Sequence, residues 1–158
     1  MTLARDELQT FVRALAGRQT RWEHLVRRSR EGRSFEQVWA DRHVNAWLIC
    51  WDEQHDTGWH DHDTAAAAIL VLEGQIREQR LRLAGPPISR VLPSGAAFYV
   101  PPSAIHRVLH AGATPAVTLH AYSPPLRRTG AYWLTAEGEL QRVSQSSEQE
   151  LRAAAVAG

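Results

Sequence analysis

From Phe35 to Val143 the chain runs as short apolar segments, each closed by a turn containing glycine or proline, at a spacing of roughly 8–12 residues. In Val44 to Trp51 one alternating set is Val44, Ala46, Leu48 and Cys50 and the other is Asn45, Trp47, Ile49 and Trp51. Both sets are largely apolar, which predicts a strand buried on both faces. Ala67 to Leu72 is a second apolar strand, ended by Glu73-Gly74. Gln75 to Leu83 alternates Ile76, Glu78, Arg80 and Arg82 against Arg77, Gln79, Leu81 and Leu83 and reads as a strand with one wet face. Further strands are predicted at Ile88–Leu92, Ala96–Val100, His106–His110 and Ala116–Tyr122. A closing hairpin, Ala131–Leu134 with Leu140–Val143, turns at Glu137-Gly138. Such a series predicts an antiparallel barrel or sandwich.

Residues 4–30 carry a different period. Leu8, Phe11, Val12 and Leu15, then Trp22, Leu25 and Val26, recur at three- and four-residue spacing, which predicts helix, with Gly17 dividing it in two. The tail from Ser144 is polar and then alanine-rich, a short helix or a frayed end. At 158 residues, and with no repeat, the expectation is one domain spanning 1–158, with residues 1–30 helical, 35–143 the barrel and 144–158 a tail. A net charge of +1 gives no reason to expect nucleic acid or an anionic membrane as partner. All 18 basic residues are arginine. One cysteine, Cys50, excludes an internal disulfide. No apolar run is long enough to span a bilayer and the first ten residues lack a signal-peptide core, so a cytoplasmic location is expected. The sequence leaves the oligomeric state open, and a monomer is consistent with it.

His60-Asp61-His62 is the first feature with chemical content. On a strand, residues i and i+2 share a face, and two imidazoles about 6–7 Å apart can converge on one metal ion. Alone this pair proves little. His106 follows the turn Pro101-Pro102-Ser103 at the start of a later strand, where it could fold back over the pair. The arrangement resembles the two metal motifs of the cupins, with Gly74 and Gly95 near the motif glycines. The resemblance implies a cupin barrel, a double-stranded β-helix, with an N-terminal helical segment. In that pattern a glutamate ligand would stand at position 66 or 67, and both are alanine here. Three neutral imidazoles leave the full charge of a divalent ion and about three open positions on an octahedral metal. Iron fits such a site, and on ligand type zinc does too.

A third feature is Thr118-Leu119-His120-Ala121-Tyr122-Ser123-Pro124-Pro125. Thr118, His120 and Tyr122 share one face of a strand, where hydroxyl, imidazole and phenol can form a hydrogen-bonded row. Taken in order with Trp51, His60-Asp61-His62 and His106-Arg107-Val108, it resembles the cysteine dioxygenase family over about Phe35 to Tyr132. The resemblance is to its bacterial branch, which lacks the cysteine–tyrosine crosslink. It implies Fe(II) held by His60, His62 and His106, and O2 and a small thiol as substrates. It also implies a sulfinate product and a catalytic row of Tyr122, His120 and Thr118, with Thr118 standing where the family has serine. The crosslinking cysteine of the animal enzymes falls at Ala67, so no crosslink can form. Where the family places a carboxylate-binding arginine, the segment Phe35-Glu36-Gln37 supplies Gln37, as in the 3-mercaptopropionate branch. Arg127 and Arg128, after the Ser-Pro-Pro turn, are candidates to supply the missing charge. His24, His43, His55 and His110 are read as non-ligands, and Trp47, Trp51 and Trp59 as core or pocket wall. Two other readings stay open: a zinc or manganese cupin acting as isomerase or lyase, and a cupin that binds a ligand without turnover.

Overall fold

A computed structural model describes residues 1–27, 33–53 and 55–152. Helix α1, Arg5–Ala16, is followed by two short 3-10 turns, Gln19–Arg21 and Glu23–Leu25. Eleven strands follow: β1 Ser34–Ala40, β2 Asn45–Trp51, β3 Trp59–Asp61, β4 Ala66–Glu73, β5 Gln75–Arg80, β6 Ile88–Pro93, β7 Ala97–Val100, β8 His106–Ala111, β9 Ala116–Ser123, β10 Arg128–Leu134 and β11 Leu140–Ser146. A last helix, α2, spans Ser147–Arg152. The strands form two antiparallel sheets, ordered β1-β2-β9-β4-β7 and β11-β10-β3-β8-β5-β6. Their inner faces share one core, with Ile49, Ile69 and Phe98 from the first sheet and Ile76, Leu92 and Val108 from the second. This is the cupin barrel.

In the first sheet, β2, β4 and β9 are buried along their whole length or nearly so. The pleat sends Trp47, Ile49, Trp51, Ala67, Ile69, Val71 and Tyr122 into the barrel. It sends Ala46, Leu48, Cys50, Ala66, Ala68, Leu70, Leu119 and Ala121 outward beneath α1. Helix α1 covers that face with Leu8, Val12 and Leu15, spaced i, i+4, i+7, each essentially inaccessible. Each such side chain contributes roughly 1.5–3 kcal/mol of burial energy. The outer face of β4 carries two alanines, which let the helix approach closely.

Three findings refine the sequence expectations. The second N-terminal helix does not form, since the segment after Gly17 makes 3-10 turns; there Trp22 donates Nε1–H to the Ala16 carbonyl at 3.1 Å. Residues 28–30 of that expectation lie outside the described residues. A strand precedes the first one expected: β1 pairs with β2 through a bulge between Gln37 and Trp39. The tail is helical to Arg152, and the remainder lies outside the described residues.

Gly74 shows why a glycine stands at the β4–β5 turn. Its φ is +69°, and a Cβ there would lie 2.5 Å from the Pro115 carbonyl oxygen. Gly74→Ala is expected to cost about 1–3 kcal/mol, from left-handed backbone strain and displacement of Pro115 and Ala116 at the start of β9. A urea midpoint shift with unchanged slope checks it, and an unshifted midpoint would contradict it.

Candidate metal centre

Strand β3 is only three residues long, paired on one side with β10 and on the other with β8. The β3–β8 register sets His60 opposite His106, and His62 lies one residue past the end of β3. All three imidazoles are buried, and one nitrogen from each lies within 4.8 Å of the others. The Nε2 atoms of His62 and His106 are 3.3 Å apart. Two nitrogens bound to one ion at ordinary metal–nitrogen lengths sit about 3.0–3.4 Å apart, so the spacing fits a shared ion. Outward-facing acceptors fix two of the rings. His60 Nδ1 is 3.0 Å from the Gly58 carbonyl, and His106 Nδ1 is 3.3 Å from Glu78 Oε1. Protons held on those Nδ1 atoms leave the Nε2 lone pairs for a metal. Burial, then the neighbouring histidines, lower the His62 pKa well below its ordinary value. Burial, then His60 and Arg80, do the same for His106. Both rings are therefore neutral at pH 7, as metal ligands must be. The donor set fits a first-row divalent metal.

Between His60 and His62, Asp61 faces the other way. It accepts from the Tyr132 hydroxyl, from Arg142 at 2.9 and 3.0 Å, and from the amides of Gly130 and Asp63. Burial pushes its carboxyl pKa up, but the Arg142 and Tyr132 hydrogen bonds outweigh this and hold it below the usual carboxylate range. Asp61 thereby ties the β10–β11 hairpin to β3, the strand that carries His60.

Thr118, His120 and Tyr122 project from β9 into the barrel and are buried. His120 Nε2 is 2.9 Å from Thr118 Oγ1, and its Nδ1 is 3.3 Å from the Tyr122 hydroxyl. Trp51 extends the row, donating Nε1–H to Thr118 Oγ1 at 2.8 Å and stacking on His120 with centroids 6.1 Å apart. Because indole N–H can only donate, Thr118 can pass its own proton to His120 Nε2, and His120 then donates Nδ1–H to Tyr122. The Tyr122 ring meets His62 edge-on at 5.0 Å, which brings the far end of the row to the histidine cluster. From the sequence Trp51 was legible as core or pocket wall. Its role depends on the pairing Ile49↔Thr118 between β2 and β9.

His120 supplies a pH prediction. Burial, then the charge of Arg33, push its pKa down to about 3. The unfolded chain therefore takes up a proton near pH 6.5 that the folded ring refuses until about pH 3. This part of the stability is complete above pH 6.5 and is lost as pH falls toward 3, with a slope of up to about 1.4 kcal/mol per pH unit. His120→Gln is expected to flatten that slope in denaturant titrations between pH 7 and 4. An unchanged slope would show that the ring is not held neutral.

Ala67, at the position of the animal crosslinking cysteine, pairs with Tyr122 across β4 and β9. Cys50 faces the opposite side of its sheet, under α1. The arginines after the Ser-Pro-Pro turn are placed by Asn45, whose buried amide holds both backbone groups of Leu126 at 2.8 and 3.0 Å. Arg127 and Arg128 line a cavity of about 540 Å³ together with His62, Thr64 and Pro124. Gln37 is exposed and lines a different cavity, with Phe35, Trp47 and Leu151. His110 bonds the Thr114 carbonyl, His43 the N-terminus and His55 Asp52, apart from the cluster.

A cupin barrel in which three histidine nitrogens converge, with no carboxylate oxygen joining them among the described residues, defines a metal-binding cupin. A related fold is seen in an RmlC-like cupin of Desulfovibrio desulfuricans, which is 22% identical, with a TM-score of 0.54 over 63% of this chain and 90% of that one. The family profile for cysteine dioxygenase type I matches residues 2–133, and the chain belongs to that family. It is similar to cysteine dioxygenase type 1 of Danio rerio, at 33% identity over 52% of this chain and 46% of that protein. It is also similar to the Homo sapiens protein of the same name, at 26% identity over 80% of this chain and 68% of that protein. Matched against the zebrafish relative, the chain spans about half of the relative's length.

Proposed function

We propose that this protein is a non-haem Fe(II) thiol dioxygenase that adds both atoms of O2 to the sulfur of a small thiol carboxylate. The balance is a thiolate plus O2 giving a sulfinate, so no further reductant is required. The observation that carries the reading is the Thr118–His120–Tyr122 row ending against His62 of a buried three-histidine cluster. His60, His62 and His106 would hold the metal, which when bound supplies open positions for the thiolate and O2 and the redox chemistry itself. The chain supplies the rest. The Tyr122 hydroxyl, oriented by His120, would donate a hydrogen bond at the reacting end. Arg127 and Arg128 favour a substrate carboxylate in the cavity that includes His62. Gln37, exposed and in another cavity, offers one neutral amide and cannot make a bidentate clamp.

The test is oxygen uptake by the iron-loaded protein with cysteine, 3-mercaptopropionate, mercaptosuccinate and carboxylate-free cysteamine. Sulfinate formation is expected, with 3-mercaptopropionate at least as good as cysteine by kcat/KM. No uptake with any of them, and zinc or manganese in protein purified without added metal, would point instead to an isomerase or lyase. In the same assay the double change Arg127→Gln, Arg128→Gln is expected to raise KM for 3-mercaptopropionate about tenfold to hundredfold, the equivalent of about 1.5–3 kcal/mol. It should leave cysteamine unaffected. Equal losses for both thiols would remove the arginines from carboxylate binding.

A further inference from the structure

Glu78 is a carboxylate in the barrel wall with almost no accessible surface, 1%. It sits on the inner face of β5 beside Ile76, where an apolar residue would be expected. An isolated buried carboxylate is costly, so its partners matter. Three groups surround it. Arg80 donates Nε–H to Oε1 at 2.6 Å, Arg90 donates to Oε2 at 2.7 Å, and His106 Nδ1 lies 3.3 Å from Oε1. Strand register produces the cluster: Glu78 is directly opposite Arg90 on β6, and Arg80 is directly opposite His106 on β8. The position thus joins a metal-site histidine to two cations that otherwise have no place in the chemistry.

We infer that Glu78 is a positioning residue for the metal: it fixes the ring and tautomer of His106 and strengthens Nε2 as a donor, while Arg80 and Arg90 limit how much of its charge reaches the ring. The inference rests on the reading of His60, His62 and His106 as ligands. A carboxylate bonded to the far nitrogen of a ligating imidazole orients the ring and raises its basicity. A carboxylate alone would draw the proton further from His106. Two guanidiniums bonded to it hold that tendency back, and they leave the three residues Glu78, Arg80 and Arg90 with one net positive charge. Where the cupin pattern has a glutamate ligand the chain has alanine, at 66 or 67, and a carboxylate stands instead behind His106, where it would influence the ion without filling an open position.

A buried ion pair of purely structural value would make a different prediction, because only a tuning role gives effects of opposite sign. Co(II) affinity measured by competition with a chromophoric chelator reads this without turnover. Glu78→Gln keeps the shape and removes the charge, and is expected to weaken Co(II) binding about tenfold to hundredfold. Arg90→Gln removes one restraint on that charge, and is expected to tighten Co(II) binding. The Co(II) absorption bands should shift in opposite directions in the two variants. Binding within twofold of wild type in Glu78→Gln, or equal weakening in both variants, overturns the inference. If Glu78→Gln does not fold, the sign of the Arg90→Gln change decides alone. Wild-type protein that binds no Co(II) would instead overturn the three-histidine reading and this inference with it, whereas loss of binding in His106→Ala with no change in Glu78→Gln would overturn the inference alone.

Discussion

Alanine at His106 is expected to leave the protein folded and almost free of metal. His106 is fully buried and carries one of three converging nitrogens. Its loss leaves two ligands and a small cavity beside Glu78, too few donors to retain a labile divalent ion against a chelator. Changing a partner of a ligand commonly costs tenfold to hundredfold in affinity, so removal of the ligand itself should exceed about a hundredfold. Turnover should fall with it. His60→Ala and His62→Ala are expected to behave alike, while His110→Ala should keep its metal, since His110 bonds the Thr114 carbonyl away from the cluster. Metal content after dialysis against chelator, with circular dichroism to confirm folding, checks all four. Full occupancy in any of the first three would remove that residue from the ligand set.

Removing one oxygen atom, in Tyr122→Phe, should separate chemistry from binding. The ring packs edge-on against Trp47 at 5.7 Å and His62 at 5.0 Å, and phenylalanine keeps both contacts. What disappears is the hydroxyl at the end of the Thr118–His120 row. A positioned hydrogen-bond donor in a water-poor site contributes on the order of a hundredfold or more to rate. The expected result is a fall in kcat of about that size, with metal affinity changed less than threefold. Intact mass should show wild-type Tyr122 unmodified, because Ala67 is its partner across the sheet and Cys50 lies on the other face. A loss of metal matching the loss of rate would show that the hydroxyl holds the site together rather than acting in it.

The relation of site to sequence is uneven for a physical reason. Alternation reports which face of a strand is dry, so β2 was legible as a strand buried on both sides, and β4 and β9 as strands. The i, i+2 rule likewise placed His60 with His62, and Thr118 with His120 and Tyr122. The segment after Gly17 misled, because apolar residues at three-residue spacing suit a 3-10 turn as well as a helix, and Trp22 closes the segment onto the Ala16 carbonyl.

The same alternation hid Glu78. In a strand of charged residues it reads as one more wet position, and only the pairing of β5 with both β6 and β8 shows that it faces inward between Arg90 and His106. Trp51, read as core or pocket wall, and Asp61, which carried no reading of its own, were opaque in the same way. The hydrogen bond of Trp51 to Thr118 and the capture of Asp61 by Tyr132 and Arg142 come from strands distant in sequence. By itself the sequence determined which side chains share a strand face, His60 with His62 and Thr118 with His120 and Tyr122, because this depends on backbone periodicity between near neighbours. Only the tertiary structure decided which groups orient those ligands and where the cations stand, because that depends on the register between strands, which no local pattern encodes.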